Sequence, residues 1–500
     1  MERVNDVINK TINEVTDKYQ TSSNKEGFFD VFKDAVDIML AHKDDTYADI
    51  VKALLKDYID AVNAMAKLSP GLSTGLSDSQ NNISISTYVG HTNEGEDAPS
   101  IDEDTVFDLS SMTKMFTSIL MLKAYEDGEI DLNKNFSFYS QLLQRINVPI
   151  LETMKFGNEL RTDGRLDDKG LMGEEIARRL LNTKVVDTDT FVYSDVPYML
   201  VPFLFDDTLK GASNEYLDKF YKLFRDNLKL MHTGYSTKNM TGGIYVPVER
   251  DGIISYEPRG YYDPKATILS RKLGLVSGHA GAVSNVEDLD LLFKSLCSGL
   301  LSKESLKTLI TPVQNSKYLV DKDGNYVLKD NARVVINKAM GVYFNNGMIT
   351  KSLIPNGFAD SAFASCGSSG TYALFDIENG LGMTRLSNIK STTKDKEINT
   401  GSFHYGLGRD HISENFNTRV IGGTHTLDDG GLVREDGEIM RYVYANHTFN
   451  EISRDTLLKL RLARNLLWNL NQESMDACSI CPYLYNAFNA SFKDEKKLVL

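Results

Sequence analysis

The chain reads as an α+β protein: an antiparallel β-sheet flanked by helices, with a helical subdomain and a helical N-terminal extension. Three observations predict this. Ile83-Ser84-Ile85-Ser86-Thr87-Tyr88-Val89 alternates with the period of a strand. Residues 116–240 then read as mainly helical with loops. Near 370 strands return, because Thr371 to Ile377 and Leu381 to Leu386 flank Glu378-Asn379-Gly380, a hairpin signal. Strands at both ends of a helical middle are the pattern of one antiparallel sheet with a segregated helical region.

The elements follow in order. Val4, Ile8, Ile12, Val15 and Tyr19 fall on one face of an amphipathic helix. The helical pattern continues over 27–68 with Phe28, Phe32, Val36 and Leu40, then Ile50, Leu54, Tyr58 and Val62, until Pro70-Gly71 breaks it. The expected units are therefore an extension at 1–68, a main domain at 69–395 and a C-terminal segment at 396–500 packed on that domain. The extension is expected to pack on the main domain, and its helices are the candidate for homo-oligomer contact. Residues 452–470 read as a helix holding Trp468.

Composition excludes several classes. The 500 residues are 41% hydrophobic and 25% charged, which is ordinary for a globular chain with a sizeable core. Lys plus Arg is 55 against 69 Asp plus Glu, so the formal charge of −14 argues against nucleic-acid partners, which need basic patches. No stretch approaches the ~20 apolar residues of a membrane span. Met1-Glu2-Arg3-Val4-Asn5-Asp6 has no apolar leader core, so the expected location is cytoplasmic. Cys478-Ser479-Ile480-Cys481 is half of a zinc pattern without a second pair, and His404, His411 and His425 fit no ligand spacing, reading instead as loop residues. No metal and no cofactor are expected.

The chemistry concentrates in Ser111-Met112-Thr113-Lys114. Residues i and i+3 share a helix face, so an amine can take the proton of the hydroxyl and activate it as a nucleophile. Ser-x-x-Lys also occurs at Ser22, Ser387 and Ser391, but in polar, loop-like stretches. Ser111 alone is followed by an apolar helical run, Met115, Phe116, Ile119, Leu120 and Leu122. A helix N-terminus favours developing negative charge.

Phe107-Asp108-Leu109-Ser110-Ser111-Met112-Thr113-Lys114 resembles the nucleophile motif of the serine β-lactamase and penicillin-binding superfamily, in its class C-like esterase and D-peptidase branch. Further motifs come in the order of that family. Phe191-Val192-Tyr193-Ser194-Asp195-Val196-Pro197-Tyr198 resembles the second motif. Asn227 to Tyr235 is similar to the helix end that follows it. Val276-Ser277-Gly278-His279-Ala280-Gly281-Ala282-Val283-Ser284 is similar to a later segment of the branch, and Asp263 fits the loop before it. The resemblance spans about residues 70–390 and implies a β-lactamase/transpeptidase-like fold.

It also implies roles. Ser111 is the nucleophile of an acyl-enzyme, Lys114 the general base and Tyr193 a proton relay. A free lysine has a pKa near ~10.4, and bringing it to about 7 costs roughly 4 kcal/mol. Burial and a neighbouring cation can do that, whereas a charged Asp195 would oppose it. The third motif departs from the family. In Phe363-Ala364-Ser365-Cys366-Gly367-Ser368-Ser369-Gly370-Thr371, Ser365 stands where the family carries Lys or His. Gly367 fits, and the N–H groups of Ser111 and Ser368 would form the oxyanion hole. Losing the basic residue weakens the expected hold on a substrate carboxylate and leaves small neutral esters or amides favoured. Cys366 reads as packing, and His279 as bracing a loop near the cleft. The expected function is a serine hydrolase of ester, amide or D-amino-acid peptide substrates with weak or absent β-lactam turnover. The alternative is an inactive relative that binds a ligand or partner.

Overall fold

The computed structural model describes residues 70–387, except 81–82, 94, 167, 169, 236–247, 251–252, 256–262, 314–316, 319–324, 327, 330, 334, 336–337, 346–353, 355–357 and 368, together with two strands at 424–426 and 432–434. The expected extension 1–68 and nearly all of 396–500 lie outside the described residues, as do Ser22, Ser391, His404, His411, Trp468 and the Cys478–Cys481 pair. So does Ser368.

The strands used below are β1 (Gly71–Asp78), β2 (Ile83–Gly90), β3 (Phe107–Asp108), β4 (Val283–Ser284), β5 (Tyr343–Phe344), β6 (Phe363–Gly367), β7 (Thr371–Asp376), β8 (Leu381–Ser387), β9 (Thr424–Thr426) and β10 (Leu432–Arg434). Six of them form one antiparallel sheet in the order β5-β6-β7-β8-β1-β2. The predicted strand over 83–89 and the predicted hairpin are both in it. The first strand closes on the last, from Leu72↔Ser387 to Asp78↔Leu381. That long-range pairing brings the two ends of the domain together around the helical middle. Ser387, expected in a loop, is the last residue of β8, and its hydroxyl donates to the Gly370 carbonyl at 2.8 Å. His425, also expected in a loop, lies in β9, which pairs with β10.

Every residue of β1, β6, β7 and β8 is buried. Polar positions of these strands, such as Thr74 and Thr371, are therefore buried rather than facing water. One cover is α5 (Val286–Cys297), which packs on β1 and β8. Its start is encoded locally: the Asn285 side chain accepts from Asp288 N–H at 3.0 Å, and Glu287 and Asp288 place negative charge in the first turn. Its apolar stripe, Leu289, Leu292, Phe293 and Leu296, is buried, with Phe293 5.3 Å from the Phe375 ring.

The central helix is α1 (Thr113–Glu126), and Thr113 through Leu122 are all buried. A helix buried on all sides belongs to the interior of a domain. It is enclosed partly by α3 (Leu209–Tyr221) and the turn after it, where Phe116 meets Phe220 at 6.2 Å and Phe224 at 5.2 Å. Its polar side chains are satisfied, as burial demands. The Thr117 hydroxyl donates to the Gly278 carbonyl at 2.7 Å and lies 2.8 Å from the Tyr216 hydroxyl, and Ser118 donates to the Lys114 carbonyl at 2.8 Å. Between these helices lie α2 (Val196–Leu200) and, after α3, α4 (Pro264–Ile268). Among the described residues no helix is long and apolar enough to cross a membrane.

Phe116 anchors the interior side of α1. Phe116→Ala is expected to cost about 3–5 kcal/mol, read as a lowered urea midpoint at constant m-value.

Candidate active site

The chain reaches Ser111 through a sharp corner. Strand β3 pairs with β4 at Phe107↔Ser284, and the chain then turns into a single 3-10 turn, Ser110–Met112, before α1. Ser110 has φ +47°, in the left-handed region that non-glycine residues seldom occupy. Local bonds hold it there: Ser110 N–H donates to Asp108 Oδ1 at 2.7 Å. The sheet holds the corner from the other side, because Ser369 donates to the Asp108 carbonyl at 2.5 Å and Thr371 to the Leu109 carbonyl at 3.2 Å. Gly367 allows this approach, since a Cβ there would lie 2.2 Å from the Leu109 carbonyl oxygen. The corner leaves Ser111 half-buried while Lys114, one turn on, is wholly buried.

Lys114 Nζ lies 3.1 Å from Ser111 Oγ, 3.2 Å from the His279 carbonyl and 2.8 Å from Asp195 Oδ1. An ammonium has three protons, and three acceptors face it. Tyr193 lies beside them, with Lys114 Nζ 4.8 Å from its ring centre and its phenol within electrostatic reach of Lys114 and Ser111. Ser111, Lys114, Tyr193 and Asp195 are thus brought together from two distant stretches of chain.

Three groups complete the surroundings. Lys265 of α4 binds the other Asp195 oxygen at 2.7 Å. His279 Nε2 lies 3.0 Å from Asp263 Oδ1, and its Nδ1 lies 2.5 Å from Ser277 Oγ. The His279 ring is wholly buried, so its contribution to the cleft is its carbonyl and the loop that it fixes. Asp195, Asp263 and His279 offer ligand-type atoms within 4.8 Å of one another. In this cluster both Asp195 oxygens already face ammoniums, so lysine charge stands where a cation would.

The electrostatics follow from this packing. Burial alone would lower the Lys114 pKa, but Asp195 and then Tyr193 outweigh it and hold the amine above the ordinary lysine value. Burial would raise Asp195, but Lys114, Lys265 and His279 hold it well below the usual carboxylate range. Asp263 is likewise held low, His279 opposing its burial. Burial lifts the Tyr193 phenol, so it is protonated at neutral pH. The resting site therefore contains an ammonium at Lys114.

Of the remaining expected cleft residues, Ser365 is 1% exposed and pairs with Ala373 in the sheet. By strand alternation its side chain points to the face opposite that of Cys366. Cys366 is buried within electrostatic reach of the Tyr343 phenol. Ser368 lies outside the described residues.

Sequence reasoning passed over Lys265 and Lys338. Lys338 is 4% exposed, and its amine lies 4.5 Å from the centre of the Tyr193 ring. The signal available was a lone lysine heading the small and apolar run Ala339-Met340-Gly341-Val342 just before a strand.

An antiparallel sheet with flanking helices around a central helix defines a β-lactamase-like fold. The chain belongs to the Beta-lactamase family, whose model matches residues 69–402. Putative D-alanyl-D-alanine carboxypeptidases of Salmonella paratyphi B and Salmonella newport are each 24% identical over 230 residues, covering 39% of this chain and 52% of theirs. The chain therefore spans about half the length of these curated relatives. A solved D-stereospecific amidohydrolase from Streptomyces sp. is 13% identical with a TM-score of 0.42, covering 64% of this chain and 89% of that one.

Gly367→Ala is expected to push the Ser111 corner off the sheet and cost about 1–3 kcal/mol, measured by equilibrium denaturation.

Proposed function

We propose that the protein is a serine hydrolase that forms an acyl-enzyme on Ser111. The family is one of hydrolases, and one observation carries the finer reading: Lys114 Nζ is 3.1 Å from Ser111 Oγ and 4.8 Å from the centre of the Tyr193 ring. In the forward step Ser111 Oγ attacks the substrate carbonyl carbon and its proton passes to unprotonated Lys114. Tyr193 hands its proton to the leaving group as the tetrahedral adduct collapses and is reprotonated by Lys114; water, giving a proton to the freed amine, then attacks the acyl carbon, and that proton returns to Ser111 Oγ as the acid leaves. Substrates are esters, amides or D-amino-acid peptides. The Salmonella relatives, named as putative D-alanyl-D-alanine carboxypeptidases, favour the last of these. β-Lactams are expected to turn over weakly or not at all. No observation among the described residues favours the inactive binding-protein alternative.

Asp195 sets the working pH in this scheme. It raises the Lys114 pKa, so the base form is scarce at neutral pH and grows as pH rises. kcat/KM for a chromogenic short-chain ester should climb into the alkaline range. Asp195→Asn removes the carboxylate that holds the proton on, and should move the acid limb of that profile down by roughly one unit or more. An unmoved limb would mean that Lys114 is not the base.

Ser111→Ala should abolish ester turnover and remove the mass increment left by an acylating ester on the intact protein. Turnover that survives this change would sink the acyl-enzyme.

A further inference from the structure

The Lys338 amine is caged by three rings, 4.4 Å from the centre of Tyr343, 4.5 Å from Tyr193 and 5.1 Å from Phe156. Ring faces accept a cation, but they do not neutralise it. Among the described residues no carboxylate pairs with this amine and no hydrogen bond reaches it. The charged and titratable groups around it are Lys114, Asp195, Cys366, Tyr193 and Tyr343. Asp195 is already divided between Lys114 and Lys265. Burial keeps the Cys366 thiol and both phenols protonated. The pocket thus holds more positive than negative groups, and Lys338 is the one left over.

Its position is fixed. Gly341, at φ +70°, lets the Lys338 segment lie against α1, where a Cβ would be 2.8 Å from the Lys114 carbonyl. Met340 N–H donates to the Leu309 carbonyl at 3.0 Å. Lys338 is therefore held beside the Tyr193 ring, on a segment that precedes β5.

We propose that Lys338 is a specificity-determining residue that anchors an anionic group of the substrate, a carboxylate, beside the Tyr193 ring. The location of the scissile bond rests on the Ser111 reading, while anion binding at Lys338 does not. Burial, with Lys114 adding to it, lowers the Lys338 pKa to about 7. At neutral pH Lys338 is therefore a mixture of amine and ammonium. An arriving carboxylate favours the ammonium, so Lys338 takes a proton from solvent as the anion binds. Such an anchor favours anionic substrates, whereas Ser365 taken alone points to neutral ones.

The test is calorimetric binding of N-acetyl-D-alanine and of its uncharged amide to the full-length protein carrying Ser111→Ala, at pH 7 in two buffers of different ionisation enthalpy. The carboxylate should bind at least about tenfold tighter than the amide and draw about half a proton from the buffer. Adding Lys338→Met should erase both the preference and the proton uptake. Lys338→Arg should keep the preference and lose the uptake, because arginine is always charged. Equal affinities, binding of neither ligand, or a preference that survives Lys338→Met would overturn the proposal. If Lys338→Met fails to fold, proton uptake that persists in Lys338→Arg overturns it instead. Failure of the acyl-enzyme reading shows separately, as ester turnover by the Ser111→Ala protein.

Discussion

The site depends on the buried pair between Lys114 and Asp195. Lys114 lies in the interior helix with no exposed surface, and an isolated charge there would cost several kcal/mol. Asp195 makes the charge tolerable at 2.8 Å. Such pairs add little to net stability, but removing one partner strands the other. The pair therefore acts as a locating pin. It fixes the turn before α2 against the start of α1, and through Lys265 and the His279 carbonyl it also fixes α4 and the glycine-rich loop.

The same pin creates a chemical tension. What makes Lys114 stable in the core also keeps it protonated, whereas the proposed chemistry needs it as a free amine. Tyr193 stands between this held ammonium and a second lysine whose environment has the opposite effect. Lys114 has a carboxylate and sits high, and Lys338 has only aromatic faces and sits low. Two amines within reach of one phenol, one held high by a carboxylate and the other pushed low by burial, give the cleft its electrostatic character.

The backbone arrangement serves that cluster. The β3 corner would relax away from the sheet without Ser369 and Thr371 gripping the Asp108 and Leu109 carbonyls. Gly367 lets the strand come close enough for that grip. The sheet is thus part of the site's frame, holding the Ser111 turn at a fixed height while α1 supplies the lysine one turn below.

Much of this was legible in the residues themselves. The alternation at 83–89, the turn at 378–380 and the apolar run after Ser111 are local patterns, and local patterns specify local structure. The i,i+3 spacing of Ser111 and Lys114 likewise fixes their meeting once a helical turn forms. Pairwise chemistry across the chain was not legible in that way. Nothing in the sequence says that both oxygens of Asp195 are spent on lysines, that the His279 ring turns inward to Asp263, or that Ser365 is buried while Lys338 arrives from another segment. Periodicity reports which residues share a face of one element. Only the folded chain decides which elements face each other, and a buried charge takes its proton affinity from that company.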